Sequence, residues 1–69
     1  MPIISVTIAE GRPVEKRRAL IKALTDATVI AFDVRPDQVR VILNEVPIDN
    51  YAVAGVTFAE QASLAGASK

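Results

Sequence analysis

Cysteine, histidine and tryptophan are all absent from this chain of 69 residues. Without cysteine no disulfide can form, and without histidine or clustered carboxylates the sequence predicts no metal site. The side chain that most often acts as a base near neutral pH is also missing. No apolar run approaches the ~20 residues of a membrane-spanning helix, and the start of the chain lacks the basic and long apolar regions of a signal peptide. We therefore expect a cytoplasmic protein with no membrane partner.

Small size and a high apolar content together predict a homo-oligomer. A domain this short buries only about 60% of the surface that its unfolded chain exposes, yet 51% of the residues are hydrophobic. Since neither disulfides nor metals are expected, partner subunits are the remaining way to stabilise the fold. The 8 basic and 8 acidic residues give zero net charge, which argues against nucleic acid as a partner because phosphate binding needs a basic surplus. We interpret the one local basic cluster as the solvated face of a helix; it contains Lys16, Arg17, Arg18 and Lys22.

The spacing of apolar residues predicts one α/β domain over residues 1–69, a β-α-β unit with a short C-terminal hairpin. Alternation predicts strands over residues 2–9 and 39–45, and a helical period predicts a helix over 14–32. We expect parallel strands joined by a right-handed crossover, with the open sheet edges extended by a second copy. After the second strand we expect a hairpin that turns at Gly55, and then a short helix that begins at residue 60 and frays towards residue 69. The predicted apolar stripe of the long helix contains Leu20, Leu24, Ala27 and Ala31, flanked by Ile21 and Thr28.

Pro2 is the candidate base. A small second residue such as proline favours removal of Met1, so we expect the mature chain to begin with a free prolyl amine. The pKa of an α-amine is ordinarily about 7.7–8.0, and burial or nearby positive charge lowers that pKa because both disfavour the ammonium form. With Met1 retained, the Pro2 nitrogen is an amide and cannot accept a proton.

Two arginines and a tyrosine complete the candidate site. Arg40 interrupts an apolar strand, where a guanidinium is costly to bury unless it meets an anion; a solvent-facing position is the alternative. Arg12 follows the first strand, beyond whose carboxyl end open α/β units bind ligands; an exposed loop charge is the alternative. Guanidiniums clamp carboxylates and stabilise enolate oxygens. With Pro2 as base and Tyr51 as an aromatic neighbour, the set fits proton transfer α to a carbonyl, and we expect both arginines to lie beside Pro2.

Four segments, in this order, resemble the 4-oxalocrotonate tautomerase (2-hydroxymuconate tautomerase) family: Pro2-Ile3-Ile4, Glu10-Gly11-Arg12, Val39-Arg40-Val41-Ile42 with Glu45, and an aromatic residue before a glycine. The resemblance runs from Pro2 to about Gly55. It implies a cofactor-independent isomerase in which Pro2 is the base and Arg12 binds the distal carboxylate of a small-molecule substrate. It also implies that Arg40 of a neighbouring subunit binds near the 2-oxo group and proximal carboxylate, in a hexamer built as a trimer of dimers. Tyr51 stands where the family has an active-site phenylalanine, so the exact substrate is open.

Two other functions are alternatives at this point. A non-catalytic or pathway-specific binding or assembly protein would use the same pocket, and retention of Met1 would favour it. Members of the same fold that hydrate or dehalogenate 3-haloacrylates carry an extra arginine in the first strand and a water-activating glutamate. This chain has Ala9 three residues before Arg12 and no acidic residue from Tyr51 to Gly55, which disfavours that chemistry.

Overall fold

A β-α-β unit, a hairpin and a short helix make up the fold. The structure, a computed structural model, describes residues 1–64. Strand β1 (Ile3–Ala9) leads into helix α1 (Val14–Phe32) and then strand β2 (Arg40–Val46), and the two strands pair in parallel along their whole length. The predicted fold class and strand direction are confirmed. Residues 65–69, where a frayed end is predicted, lie outside the described part of the chain.

Local sequence explains where α1 begins and ends. Gly11 has a φ of 118°, a conformation that glycine adopts without steric cost. Pro13 follows as the residue that caps the helix, and Glu15 lies in the first turn, where its charge complements the helix dipole. Asp33 adopts the left-handed conformation at φ 55° and donates its N–H to the Val29 carbonyl, which ends the helix. A turn of 3₁₀ helix, Pro36–Gln38, then leads into β2.

Helix α1 buries the predicted stripe only in part. Leu20 and Leu24 are half-buried as predicted, as are the flanking Ile21 and Thr28, whereas Ala27 and Ala31 are exposed. Arg17, which was not predicted to lie on this face, is half-buried. The long stem of an arginine packs well against apolar surface while its head stays polar, so the buried face begins one helical turn earlier than the predicted stripe. The half-buried residues of the helix are Arg17, Leu20, Ile21, Leu24, Thr25, Thr28 and Val29.

The opposite face of the sheet is open to solvent. Alternate residues of β1 and β2 are half-buried on one face of the sheet. On the other face, Ile3 and Ile42 are 65% and 49% exposed. No side chain of residues 1–63 is fully buried. The radius of gyration is 15.7 Å, whereas a compact domain of this length has one of about 11 Å. In a single copy, residues 1–63 therefore enclose no core.

A tight hairpin and a capped helix close the described chain. Strands β3 (Ala52–Val53) and β4 (Val56–Thr57) pair antiparallel. Ala54 and Gly55 between them both have positive φ, as a two-residue type I′ turn requires, so the predicted turn is confirmed. Helix α2 (Phe58–Leu64) begins two residues before the predicted position. The cause is a capping box, the Thr-x-x-Glu pattern of residues 57–60, which the sequence prediction overlooked.

Candidate active site

Pro2 lies at the amino end of the sheet, beside the start of β2. It is half-buried, and its carbonyl accepts a hydrogen bond from the Arg40 N–H, with an N···O distance of 3.0 Å. Parallel pairing thus places the backbone of Pro2 next to that of Arg40 in the same copy. The chain of the structure begins at Met1, whose peptide bond makes the Pro2 nitrogen an amide. Proton transfer through Pro2 requires that this bond be cleaved.

The Arg40 side chain lies on the open face of the sheet. Arg40 is exposed, and its Nη1 donates to the Asp37 carbonyl across 2.9 Å. Of the two alternatives for this residue, the single copy has the solvent-facing one. The guanidinium is therefore not desolvated in one copy, and most of its donors are available to an anion.

Arg12 and Tyr51 lie together at the other end of the sheet. The Glu10 N–H donates to the Val46 carbonyl across 2.9 Å, which holds the turn after β1 against the end of β2. Arg12 projects from this turn into a cleft of about 360 Å³. The cleft is lined by Thr7, Ile8, Ala9, Arg12, Val46 and Tyr51.

The hairpin and α2 hold the Tyr51 ring in place. Its centroid lies 5.8 Å from that of Phe58, with the ring planes at 43°, a favourable tilted geometry. The Phe58 N–H also donates to the Tyr51 carbonyl. Phe58 was not singled out from the sequence, although the Tyr51–Phe58 spacing across a predicted hairpin is a signal for such a contact.

The capping box fixes the start of α2 and hence the position of Phe58. The Glu60 carboxylate accepts from the Thr57 N–H at 2.9 Å and from the Thr57 hydroxyl at 3.0 Å, while the Glu60 N–H donates to that hydroxyl oxygen at 3.1 Å. The two bonds that the carboxylate accepts favour its ionised form, and the bond from the Thr57 backbone N–H has the larger effect. The pKa of Glu60 therefore lies below its ordinary value.

One copy of the chain separates the candidate residues into two pairs. Pro2 and Arg40 lie at the amino end of the strands, and Arg12 and Tyr51 lie beyond the carboxyl end. The seven residues of β1 span about 20 Å at the usual rise of 3.3 Å per residue. A single copy therefore holds Arg12 away from Pro2, because an extended strand holds its two ends apart. The expectation that both arginines lie beside Pro2 stays a prediction for the assembled protein.

A second cleft adjoins the first, and sequence reasoning missed it. It has a volume of about 500 Å³ and is lined by Ile8, Arg12, Pro13, Lys16, Arg17 and Leu20. Arg17 is half-buried and its Nη1 lies 3.4 Å from the Glu45 Oε1, so the interpretation of the basic cluster as wholly solvated is wrong for this residue. Arg17 lies three residues before Leu20, and this spacing was a signal that it shares the buried face of α1.

Two findings bear on metals and membranes. In the stretch from residue 1 to residue 64, no three histidine, cysteine, aspartate or glutamate side chains come together as they would around a metal ion. Within the same stretch, neither helix combines the length and the apolar character that a membrane crossing requires.

Comparison with known proteins shows the family. A sequence profile of tautomerase enzymes matches residues 2–61. The 2-hydroxymuconate tautomerase of Comamonas testosteroni is 37% identical over 60 residues, which are 87% of this chain and 95% of that relative. Among solved structures, a 4-oxalocrotonate tautomerase isozyme from Methylibium petroleiphilum has a TM-score of 0.87 at 44% identity and covers 91% of this chain and 98% of its own.

A further solved structure is similar over nearly the same length. It is a heterohexameric 4-oxalocrotonate tautomerase from Chloroflexus aurantiacus, with a TM-score of 0.83 at 40% identity, matched over 87% of this chain and 97% of its own. The order of β1, α1, β2 and the hairpin thus agrees with a known family, as does the sequence over most of its length. The chain belongs to the 4-oxalocrotonate tautomerase family and is an isomerase.

Proposed function

We propose that the protein catalyses keto-enol proton transfer on a small 2-oxo or 2-hydroxy-dienoate acid, without a cofactor and with Pro2 as the base. The observation that carries the proposal is the division of the candidate residues into two solvent-open half-sites at opposite ends of β1. The half-sites are complementary. Pro2 supplies the base at one end, and Arg12 and Tyr51 supply a carboxylate clamp and an aromatic wall at the other, while Arg40 supplies an enolate-stabilising cation to the site of a neighbouring subunit.

Pairing of β1 with β1 of a second copy would join two such half-sites. Within residues 1–64, strand β1 pairs with β2 along one edge and with no strand along the other, and an open edge is a template for another strand. A twofold axis makes such pairing antiparallel, so that the start of each β1 lies beside the end of the other. Pro2 of one copy would then approach Arg12 of the partner subunit.

The open face of the sheet supports a larger assembly. Ile3 and Ile42 would be covered if the sheets of several dimers packed face to face, and Arg40 on the same face would then reach a site in a neighbouring dimer. We propose a homohexamer built as a trimer of dimers. The similarity to a chain from a heterohexameric tautomerase supports this size.

In the assembled site, Pro2 accepts a proton from the 2-hydroxyl group or the α-carbon of the substrate. The electron pair moves along the conjugated chain, and the resulting ammonium returns the proton to a different carbon, which completes a 1,3- or 1,5-transfer. Arg40 stabilises the charge that develops on the dienolate oxygen, and Arg12 holds the remote carboxylate through two hydrogen bonds. Both cations lower the pKa of the Pro2 amine because they disfavour its ammonium form, so the free base is available near neutral pH.

The test is tautomerisation of 2-hydroxymuconate and phenylenolpyruvate by protein whose intact mass lacks methionine. We expect that Pro2→Leu, which keeps Met1 because its second residue is large, abolishes the reaction. Nitrogen NMR of labelled proline reports the amine, and titration at or above the ordinary range would remove the electrostatic argument. An assembled, methionine-free protein that accelerates neither reaction refutes the proposed function. Retention of Met1 in the native protein would favour a binding protein on the same scaffold.

A further inference from the structure

The second cleft lies between the end of β1 and the first two turns of α1. Positions 13, 16, 17 and 20 lie on one face of the helix, at spacings of three and four residues, and Ile8 closes the cleft from the strand. Arg12 lines this cleft as well as the one that contains Tyr51. The two clefts therefore adjoin at the residue that we propose binds the remote carboxylate.

Positive charge in this cleft exceeds what the chain itself neutralises. Its wall contains three cations, Arg12, Lys16 and Arg17. Glu45 pairs with Arg17 across 3.4 Å, whereas Arg12 and Lys16 have no ion-pair partner among residues 1–64. The Arg17 Nε is enclosed and has no hydrogen-bond acceptor among those residues. That nitrogen is closed to solvent and to a ligand, so an anion in the cleft would be bound by Arg12, Lys16 and the remaining nitrogens of Arg17.

The remaining walls are apolar. Ile8, Pro13 and Leu20 line the cleft together with the cations, which favours a ligand that has a hydrocarbon segment next to its charge over a small inorganic anion. A carboxylate at the end of a methylene chain has this character.

We propose that Lys16 and Arg17 form a subsite beyond Arg12 for the remote anionic group of the substrate. The inference rests on the proposed function and makes it more specific. The preferred substrates are 2-oxo or 2-hydroxy acids with a second carboxylate on a chain long enough to pass Arg12, so that its methylenes contact Ile8 and Leu20. Specificity for chain length would then reside in Lys16 and Arg17.

Calorimetric binding of straight-chain dicarboxylates to the assembled, methionine-free protein tests the subsite. The probes are butanedioate, hexanedioate, octanedioate and decanedioate, each with the monocarboxylate of equal length. We expect affinity to rise about three- to fivefold at the length that first reaches Lys16, the usual worth of one solvated ion pair. The rise should weaken in high salt. Monocarboxylates should lack it, because they have no second charge.

Matched lysine variants of α1 provide the control. Lys16→Gln should remove the rise with chain length. Lys22→Gln should keep it, because Lys22 is exposed and pairs with Asp26 on the solvent side of the same helix. Affinity independent of length in the native protein overturns the proposal, as does a rise that persists in Lys16→Gln. Binding needs no turnover, so a protein that shows the length dependence without converting 2-hydroxymuconate contradicts only the proposed function.

Discussion

If each active site takes Pro2 from one copy and Arg12 from another, two inactive variants should restore each other. The ends of β1 lie about 20 Å apart, and the structure places Pro2 and Arg12 at opposite ends. We therefore expect activity when Pro2→Leu and Arg12→Ala chains are unfolded together in equal amounts and refolded as mixed oligomers. Random assembly leaves about a quarter of the sites with both native residues. A site formed within one chain leaves none.

The assay is the rate of 2-hydroxymuconate tautomerisation at a low substrate concentration, where loss of the Arg12 clamp is most evident. The control mixes Pro2→Leu with the double variant Pro2→Leu/Arg12→Ala, which contains no native Pro2 and should stay inactive. Native protein that has been unfolded and refolded in the same way gives the rate that corresponds to full activity. A mixture no more active than its separate parents, in oligomers shown by mass to contain both chains, would refute the shared site.

Three further predictions concern the arginines, the open sheet face and the capped helix. Arg12→Ala should raise KM most for a dicarboxylate substrate, whereas Arg40→Ala should lower kcat about 10²–10³-fold for 2-hydroxymuconate and phenylenolpyruvate alike; equal, modest effects in steady-state kinetics would contradict both roles. Ile42→Ser should shift sedimentation towards smaller species because that side chain is 49% exposed on the sheet face, while Ile30→Ser, at 82% exposure on the helix, should not. The pKa of Glu60 lies below its ordinary 4.5, so the capping box should stabilise α2 above pH 4.5, and this stabilisation should be lost as the pH falls through the lowered pKa. Amide hydrogen exchange in α2 should report this pH dependence, and Glu60→Gln should abolish it. A pH dependence that is unchanged in the variant would mean that another group is responsible.

Much of the fold follows from local signals in the sequence. Gly11 and Pro13 mark the end of β1 and the start of α1, and Gly55 marks the hairpin turn, because each has backbone preferences that few other residues share. Arg17 was misjudged because its charge suggested solvent, whereas its stem packs on the buried face of α1. The roles of Tyr51 and Arg12 stay predictions, and the structure brings these two residues together at one cleft.

The relation between Pro2 and Arg12 could not be predicted from residue types alone. A sequence pattern identifies chemical groups, and the resemblance to a family implies that these groups cooperate. Neither says which groups of one chain lie far apart. That separation depends on the extended length of β1 and on which edge of the sheet is left open, and both are geometric properties of the folded strand pair.

The absence of an enclosed core couples folding to association. Since no side chain of residues 1–63 is fully buried in a single copy, much of the apolar stabilisation must come from contacts between copies. The measured unfolding midpoint should then rise with protein concentration. Dilution would act as a denaturant, and the rate at which newly made chains meet would limit the appearance of active enzyme.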